Sequence, residues 1–330
     1  MRRQPKSKIG NRKSKMVPSI TRLAPSPTGA LHLGNVRTFV LNALLAARHG
    51  WRVLMRVEDL DSPRVKAGAA DGMLEELRWL GFEWEGPVVY QSRNAAAYRA
   101  AWERLVRAGA AYPCVCSRKD VESAGSAPHG DSAPPVYPGT CRDRFGRVTG
   151  FDDAPEGAAW RVRVDAAPIV VRDEFLGERS FDLSRTSGDF VILNRQRQAA
   201  YQLAVVVDDA QAGVDSIVRG DDLLESAARQ IHLRRLLGVG GEVRYWHLPL
   251  VIGPDGRRLA KRHGDTRVAH YRRAGASPQR ILGLVGYWSG LLDRRREADW
   301  DGLRREFDLA RLPRQPVVFS QEDDAFLLRR

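Results

Sequence analysis

The sequence predicts an α/β protein built on a parallel sheet, and three observations carry that expectation. A short apolar run at 20–24 leads into Pro25-Ser26-Pro27-Thr28-Gly29, which can continue neither a strand nor a helix. A helix predicted over 35–49 carries the stripe Val36, Phe39, Val40, Leu44 and Ala47 and stops at Gly50. A second apolar run at 51–57 has the weak alternation of a strand buried on both faces. Strand, helix and strand in this order form a βαβ unit, whose crossover connection requires parallel strands.

The later elements follow from the same signals. Residues 72–80 and 95–110 read as helices, 123–140 as an irregular insertion rich in Ala, Pro, Gly and Ser, and 160–171 as alternating strands. The β-branched run 201–208, which ends in Asp208-Asp209, reads as a strand. Residues 222–237 read as helix, 245–252 as strand, Pro254-Asp255-Gly256 as a turn, and the chain from Pro278 onward as helical.

Composition narrows the function classes. With 330 residues, 43% hydrophobic and 28% charged, the chain is long enough to bury a sizeable core. No apolar run reaches the ~20 residues that span a bilayer, and the N-terminus has no apolar stretch of a secretory signal. No membrane partner is expected, and a cytoplasmic location and a monomer are. The net charge is +13. Seven cations, Arg2, Arg3, Lys6, Lys8, Arg12, Lys13 and Lys15, lie in an N-terminal arm without an acid, and Met16 offers an alternative start. The arm, 1–18, is expected to be disordered. The remaining body stays basic, which suits a polyanion such as nucleic acid. Three cysteines, an odd number, argue against a disulfide framework.

The residues that carry chemistry fall in four places. The stretch from Arg22 to Asn35 joins a strand to a helix, where ligands of parallel sheets bind and where free N–H groups suit a phosphate. Within it Gly34 lets a flat base or ribose approach the backbone, and His32 can donate hydrogen bonds to phosphate oxygens. The loop Gly253–Gly264 bears Lys261, an ammonium able to swing onto a triphosphate. Arg22 and Glu58, at neighbouring strand ends, supply a carboxylate-binding fork and a partner for an ammonium; Tyr201 and Arg219 add a phenol and a second fork. Cys114, Cys116 and Cys141 are thiols suited to a structural zinc that needs a fourth ligand, and by general chemistry His129 is the better candidate over Tyr137.

These words together resemble the class I aminoacyl-tRNA synthetases. His32-Leu33-Gly34-Asn35 stands where that family has its His-Ile-Gly-His tetrapeptide, and Arg258-Leu259-Ala260-Lys261-Arg262 where it has Lys-Met-Ser-Lys-Ser, with Arg258 for the first lysine and Ala260 for the serine. The Arg-x-Ala-Pro-Ser-Pro-Thr-Gly context, Arg56–Asp61, Tyr201–Asp209 and the Arg219 segment resemble the glutamyl and glutaminyl branch, whereas Asn194–Ala200 departs from that branch's Gly-containing turn. The resemblance implies a Rossmann-like catalytic core in two halves, 19–112 and 196–266, an inserted zinc-binding, acceptor-type subdomain at 113–195, and a helical stem-contact region at 267–330. It implies glutamate contacts from Arg22, Leu23, Ala24, Pro25, Ser26, Glu58, Tyr201 and Arg219. ATP contacts are implied from His32, Gly34, Asn35 and Lys261, with His32 and Lys261 catalytic and Mg²⁺ assisting. It also favours Tyr137 as the fourth zinc ligand, because Cys-x-Cys followed by Tyr-x-x-x-Cys is similar to the small, truncated members of the branch.

The chain stops about 65 residues after the Lys261 loop, so no anticodon-binding domain is expected. Resemblance to the truncated members implies ATP-dependent activation of L-glutamate and its attachment to the queuosine base at the wobble position of tRNA(Asp). Alternatives are charging of a tRNA 3′ end, another adenylate-forming ligase of the superfold, and a tRNA-binding module without catalysis.

Overall fold

The computed structural model describes residues 18–60, 67–124, 135–257, 259 and 265–329. Strand β1 (Ile20–Leu23), helix α1 (Leu33–His49) and strand β2 (Arg52–Val57) form the expected unit, with β1 and β2 parallel in the register Ile20↔Arg52 to Leu23↔Met55. Gly50 ends α1 with φ 66°, a left-handed conformation open to glycine at no steric cost. Helix α2 (Ala69–Trp79) leads to β3 (Val89–Tyr90), which pairs parallel to β2.

After helix α3 (Ala95–Arg107) come β4 (Ala111–Cys114), α4 (Arg118–Ala124), β5 (Ala159–Val162), β6 (Ile169–Asp173), β7 (Gly177–Phe181), α5 (Leu183–Thr186) and β8 (Phe190–Leu193). Strands β4, β5 and β8 make an antiparallel sheet. The chain returns through α6 (Tyr201–Gln211), β9 (Ser216–Gly220), α7 (Leu224–Leu236) and β10 (Arg244–Leu248). Strand β10 pairs parallel to both β9 and β6, and β7 pairs antiparallel to β6. The Asp215 N–H donates to the Ile20 carbonyl at 3.1 Å, and the Ile20 N–H donates to Asp215 Oδ1 at 3.1 Å. These bonds tie β1 to the start of β9, so the βαβ unit and the second parallel group share one edge.

The last part holds β11 (Val251–Ile252), α8 (Val268–Arg273), α9 (Pro278–Trp288), α10 (Trp300–Glu306), β12 (Val317–Val318) and α11 (Gln321–Leu328). One apolar core packs α1 against α9 and the β1–β2 strands; a second lies under α3, α6, α7 and the β4–β5–β8 sheet.

Three expectations change. Residues 201–208, read as a strand, form the first turns of α6: Leu203 through Val207 are buried all round, and a fully apolar helix has no stripe to distinguish it from a buried strand. The single strand expected at 245–252 breaks at Pro249, and β11 beyond it pairs with β12 instead. That pairing also places a short strand in a region expected to be wholly helical. No helix among the described residues is long and apolar enough to cross a membrane.

Candidate active site

The C-terminal ends of β1, β2 and β9 and the N-terminus of α1 surround a cleft of about 300 Å³. Arg22, Ala24, Pro25, Ser26, Glu58, Tyr201 and Arg219 line its inner end, and His32, Gly34 and Asn35 line it beside α1. Leu23 is wholly buried under the loop and takes no part in the lining. Sequence reasoning therefore brings seven of its eight amino-acid contacts, and three of its four nucleotide contacts, to one cavity. Lys261, Arg258 and Ala260 lie outside the described residues, as do Asp61 and His129.

His32 is the N-cap of α1, in an extended conformation. The Asn35 side chain returns to the His32 N–H at 3.4 Å. A side chain on Gly34 would begin 3.2 Å from the His32 ring and 3.7 Å from Val251, so glycine keeps this wall of the cleft thin. The segment after the Lys261 loop pairs with this same corner: Leu33 N–H donates to the Thr266 carbonyl at 3.0 Å, and Val268 N–H donates to the Leu31 carbonyl at 2.9 Å. On the other side of that loop, Val251 lines the cleft. Both anchors of the Lys261 loop are thus fixed at the His32 corner.

At the inner end a buried ion network sets the charge. Asp209 accepts from Arg22 Nε at 3.3 Å and from Arg56, and Arg56 Nη2 donates to Glu58 Oε1 at 3.1 Å. Burial works against an ionised Asp209, yet Arg56 and Arg22 overcome it and hold the carboxyl below the usual range. For Glu58 burial wins and its pKa rises despite the same arginines. Burial above all, with repulsion from Arg56 and Arg219, pulls Arg22 down. Asp208 is held by Gln91 and Asn94 at 2.7 Å and by the Tyr98 hydroxyl at 2.9 Å. Ser26 Oγ donates to the Glu58 carbonyl at 3.1 Å, which fastens the loop to the end of β2.

Arg219 is positioned from behind. Asp173 Oδ1 accepts from the Phe175 and Leu176 N–H groups, and its Oδ2 pairs with His247 Nδ1 at 2.7 Å. Burial lowers the His247 pKa, more than the bond to Asp173 raises it. A neutral ring that donates from Nδ1 leaves Nε2 to accept from Arg219 Nε at 3.0 Å. Arg219 is 5% exposed, and both of its terminal nitrogens have no partner among the described residues. A buried guanidinium with two donors unsatisfied and a cavity in front of it is built for an oxyanion. Tyr201, the first residue of α6 and not the entry to a strand, adds a phenol that burial and Glu58 keep neutral.

Arg56, Asp173, Asp209 and His247 were not singled out as site residues. The Asp208-Asp209 pair and the Arg56 word were visible in sequence, but which side chain meets which depends on α6 being a helix. Asp173 lies 74 residues from His247, and no local pattern links them.

The three cysteines converge, with their sulfurs all within 4.8 Å of one another. Tyr137 Oη lies 3.4 Å from Cys114 Sγ and 3.9 Å from Cys116 Sγ, and it accepts the Cys141 N–H at 2.8 Å. Sulfur–sulfur and sulfur–oxygen spacings of this size are edges of a tetrahedron around an ion with bonds of about 2.0–2.3 Å. Burial and the two neighbouring thiols push Cys116 up to about 11, so three thiolates here require a cation. Arg161 supports the cluster, with Nε 3.3 Å from Cys114 Sγ and its guanidinium 3.7 Å above the Tyr137 ring. Gly188, at φ 62°, lets the Tyr137 backbone approach; a Cβ there would sit 2.3 Å from the Tyr137 carbonyl oxygen. The donor set is compatible with zinc.

A family profile described as tRNA synthetases class I (E and Q), catalytic domain, matches residues 19–323. The chain belongs to this family. It is a ligase of the class that uses ATP and Mg²⁺ and acts on tRNA. Curated relatives include a glutamyl-Q tRNA(Asp) synthetase of Rhodopirellula baltica, 41% identical over 92% of this chain and 97% of the relative. A second, from Symbiobacterium thermophilum, is 44% identical over 93% and 97%, and a third, from Nocardia farcinica, is 45% identical over 91% and 92%. Among solved structures, glutamate-tRNA synthetase from Elizabethkingia anophelis superposes with a TM-score of 0.76 at 23% identity, covering 94% of this chain and 70% of that one, a likeness of fold. The Rossmann-like class I core expected from the signature words is therefore the fold of this family.

Proposed function

We propose that the protein activates L-glutamate with ATP and transfers it to the queuosine base at the wobble position of tRNA(Asp). The observation that carries the amino-acid choice is Arg219: a buried fork whose two terminal nitrogens have no hydrogen-bond partner among the described residues, in the lining of a cavity it shares with Arg22, Glu58 and Tyr201. A dicarboxylic amino acid supplies one carboxylate for such a fork, an ammonium for Glu58, and a second carboxylate that points toward the α1 N-terminus. The relatives named glutamyl-Q tRNA(Asp) synthetase, similar along almost the whole chain, support the choice of tRNA.

In the first step the glutamate carboxylate attacks the α-phosphorus of ATP in line, and pyrophosphate leaves. No protein nucleophile is needed. His32, the positive end of the α1 dipole and Lys261 bind and orient the phosphates and meet the growing negative charge. Mg²⁺ supplies further neutralisation on the phosphate oxygens. In the second step a hydroxyl of the queuosine cyclopentene ring attacks the activated carbonyl, and AMP leaves. Residues 113–195 are assigned as the inserted subdomain that meets the RNA, with 19–112 and 196–266 as the catalytic halves and 267–330 as the stem-contact region. Cys114, Cys116, Cys141 and Tyr137 would hold zinc, which would fix the fold of that insertion.

ATP–pyrophosphate exchange tests the reading. Glutamate is expected to support exchange, and aspartate and glutamine are not. Exchange with glutamine in preference to glutamate would overturn it.

A further inference from the structure

Beside the amino-acid cleft lies a second one, of about 300 Å³, lined by Asp59, Leu60, Phe151, Leu193, Arg197 and Gln198. The chain links the two clefts: Asp59 follows Glu58, and Ala199, which also lines the second, lies two residues before Tyr201. Its floor is aromatic. Phe151 stacks on Trp102 with ring centroids 3.9 Å apart and planes 12° from parallel. The Arg197 guanidinium sits 4.4 Å from the Phe151 ring centroid, and that of Arg99 sits 5.5 Å from it.

Arg197 belongs to the segment that departs from the Gly-containing turn of the synthetase branch. It adopts φ 62°, the one non-glycine residue with positive φ among the described residues. The turn is closed by Asn194, whose Oδ1 accepts from the Gln196 and Gln198 N–H groups at 3.0 and 2.9 Å. A β-carbon in this conformation costs backbone strain that glycine would avoid. The strain gains no ion pair within the fold: no carboxylate among the described residues pairs with Arg197, and its side chain is exposed. What the arginine adds is a guanidinium over an aromatic ring, exposed to solvent in the cleft that follows Glu58 and precedes Tyr201 along the chain.

We propose that the Arg197–Phe151 stack is a nucleobase platform, which holds an unpaired base of the tRNA loop next to the nucleotide that accepts glutamate. Guanidinium and aromatic planes both stack on bases, and single-stranded RNA is read by splayed-out bases on such surfaces. This rests on the function proposed above, since it assumes an RNA substrate at this cleft.

Arg197→Gly tests it in the full-length protein, because glycine is the residue the backbone prefers. If Arg197 only stabilised the fold, the variant would melt earlier. The platform predicts a melting temperature equal to or above that of the parent, unchanged glutamate-dependent pyrophosphate exchange, and a Kd for an anticodon stem-loop RNA raised about 5- to 100-fold, the range of one lost stacking contact. A Kd within twofold of the parent would overturn the proposal, as would a fall in exchange parallel to the loss of RNA binding. Arg197→Lys is expected to lose affinity as well; full affinity with lysine would overturn the stack in favour of a phosphate contact. Stem-loop binding is measured without glutamate transfer, so a parent that binds RNA but transfers nothing sinks the function reading alone.

Discussion

Replacing Arg219 by glutamine isolates the oxyanion-binding half of this side chain. Glutamine Nε2 is separated from the backbone by the same number of bonds as arginine Nε. It can therefore still donate to His247 Nε2, now at 3.0 Å from Arg219 Nε, and the Asp173–His247 support keeps its satisfied ends. What disappears is the pair of terminal nitrogens that have no hydrogen-bond partner among the described residues. Two charge-assisted hydrogen bonds at about 1.5–3 kcal/mol each amount to about 3–6 kcal/mol. A carboxylate about 4 Å from a guanidinium at an effective dielectric constant near 20 gives about 4 kcal/mol by Coulomb's law, inside that range. At about 1.4 kcal/mol per power of ten, kcat/KM for glutamate should fall by roughly 10²- to 10⁴-fold. Stability should hold or rise, because Arg219 repels Arg22 in the unliganded network. The assay is glutamate-dependent ATP–pyrophosphate exchange with KM measured separately for each substrate. A loss under tenfold, or an equal rise in the ATP KM, would refute the assignment of Arg219 to the amino acid.

The other expectations are narrower. His247→Ala removes the acceptor behind Arg219 and should raise the glutamate KM about tenfold while kcat at saturation changes less; recovery by His247→Gln separates positioning from a general loss of packing. Because the folded pKa of His247 is depressed below its unfolded value, its contribution to stability is present above about pH 6.5 and fades as pH falls from there toward the folded pKa. Thermal melts of His247→Gln should accordingly show a flatter acid limb below about pH 6.5 than those of the parent, and identical slopes would contradict the neutral ring. Elemental analysis should find about one zinc per chain, and Cys116→Ser or Tyr137→Phe should reduce retention after dialysis against a chelator. Equal retention in Tyr137→Phe would remove the phenol from the ligand set.

Much of this site could be read in the sequence because its backbone pieces are local. The turn at 25–29, the N-cap at His32 and the glycine at 34 are consecutive, so one loop carries the signature, and the fold had only to bring Glu58, Tyr201 and Arg219 to it. The charge network was less legible. Asp209 meets Arg22 and Arg56 across 187 and 153 residues. Reading 201–208 as a strand would have put successive side chains on opposite faces, so Asp208 and Asp209 would not both point toward the arginines. In α6 the two carboxylates instead serve neighbouring partners, Asp208 the Gln91–Asn94–Tyr98 side and Asp209 the arginines. The misread element and the hidden Arg56–Asp209 contact thus have one cause, a helix buried on every side that carries no periodicity; the Asp173–His247 contact stays hidden for another, its span of 74 residues. The cysteine cluster was legible in its thiols, whereas the approach of Tyr137 depends on Gly188, fifty-one positions on, whose role only the three-dimensional contact reveals.

Labelled glutamate offered with ATP to two preparations of tRNA(Asp) reveals where the amino acid goes. One preparation carries queuosine but lacks its 3′-terminal adenosine; the other has an intact 3′ end and unmodified guanosine at the wobble position. Label is expected on the first and none on the second. Label on the second alone would mean that the enzyme charges the 3′ end, and the proposed acceptor would be wrong.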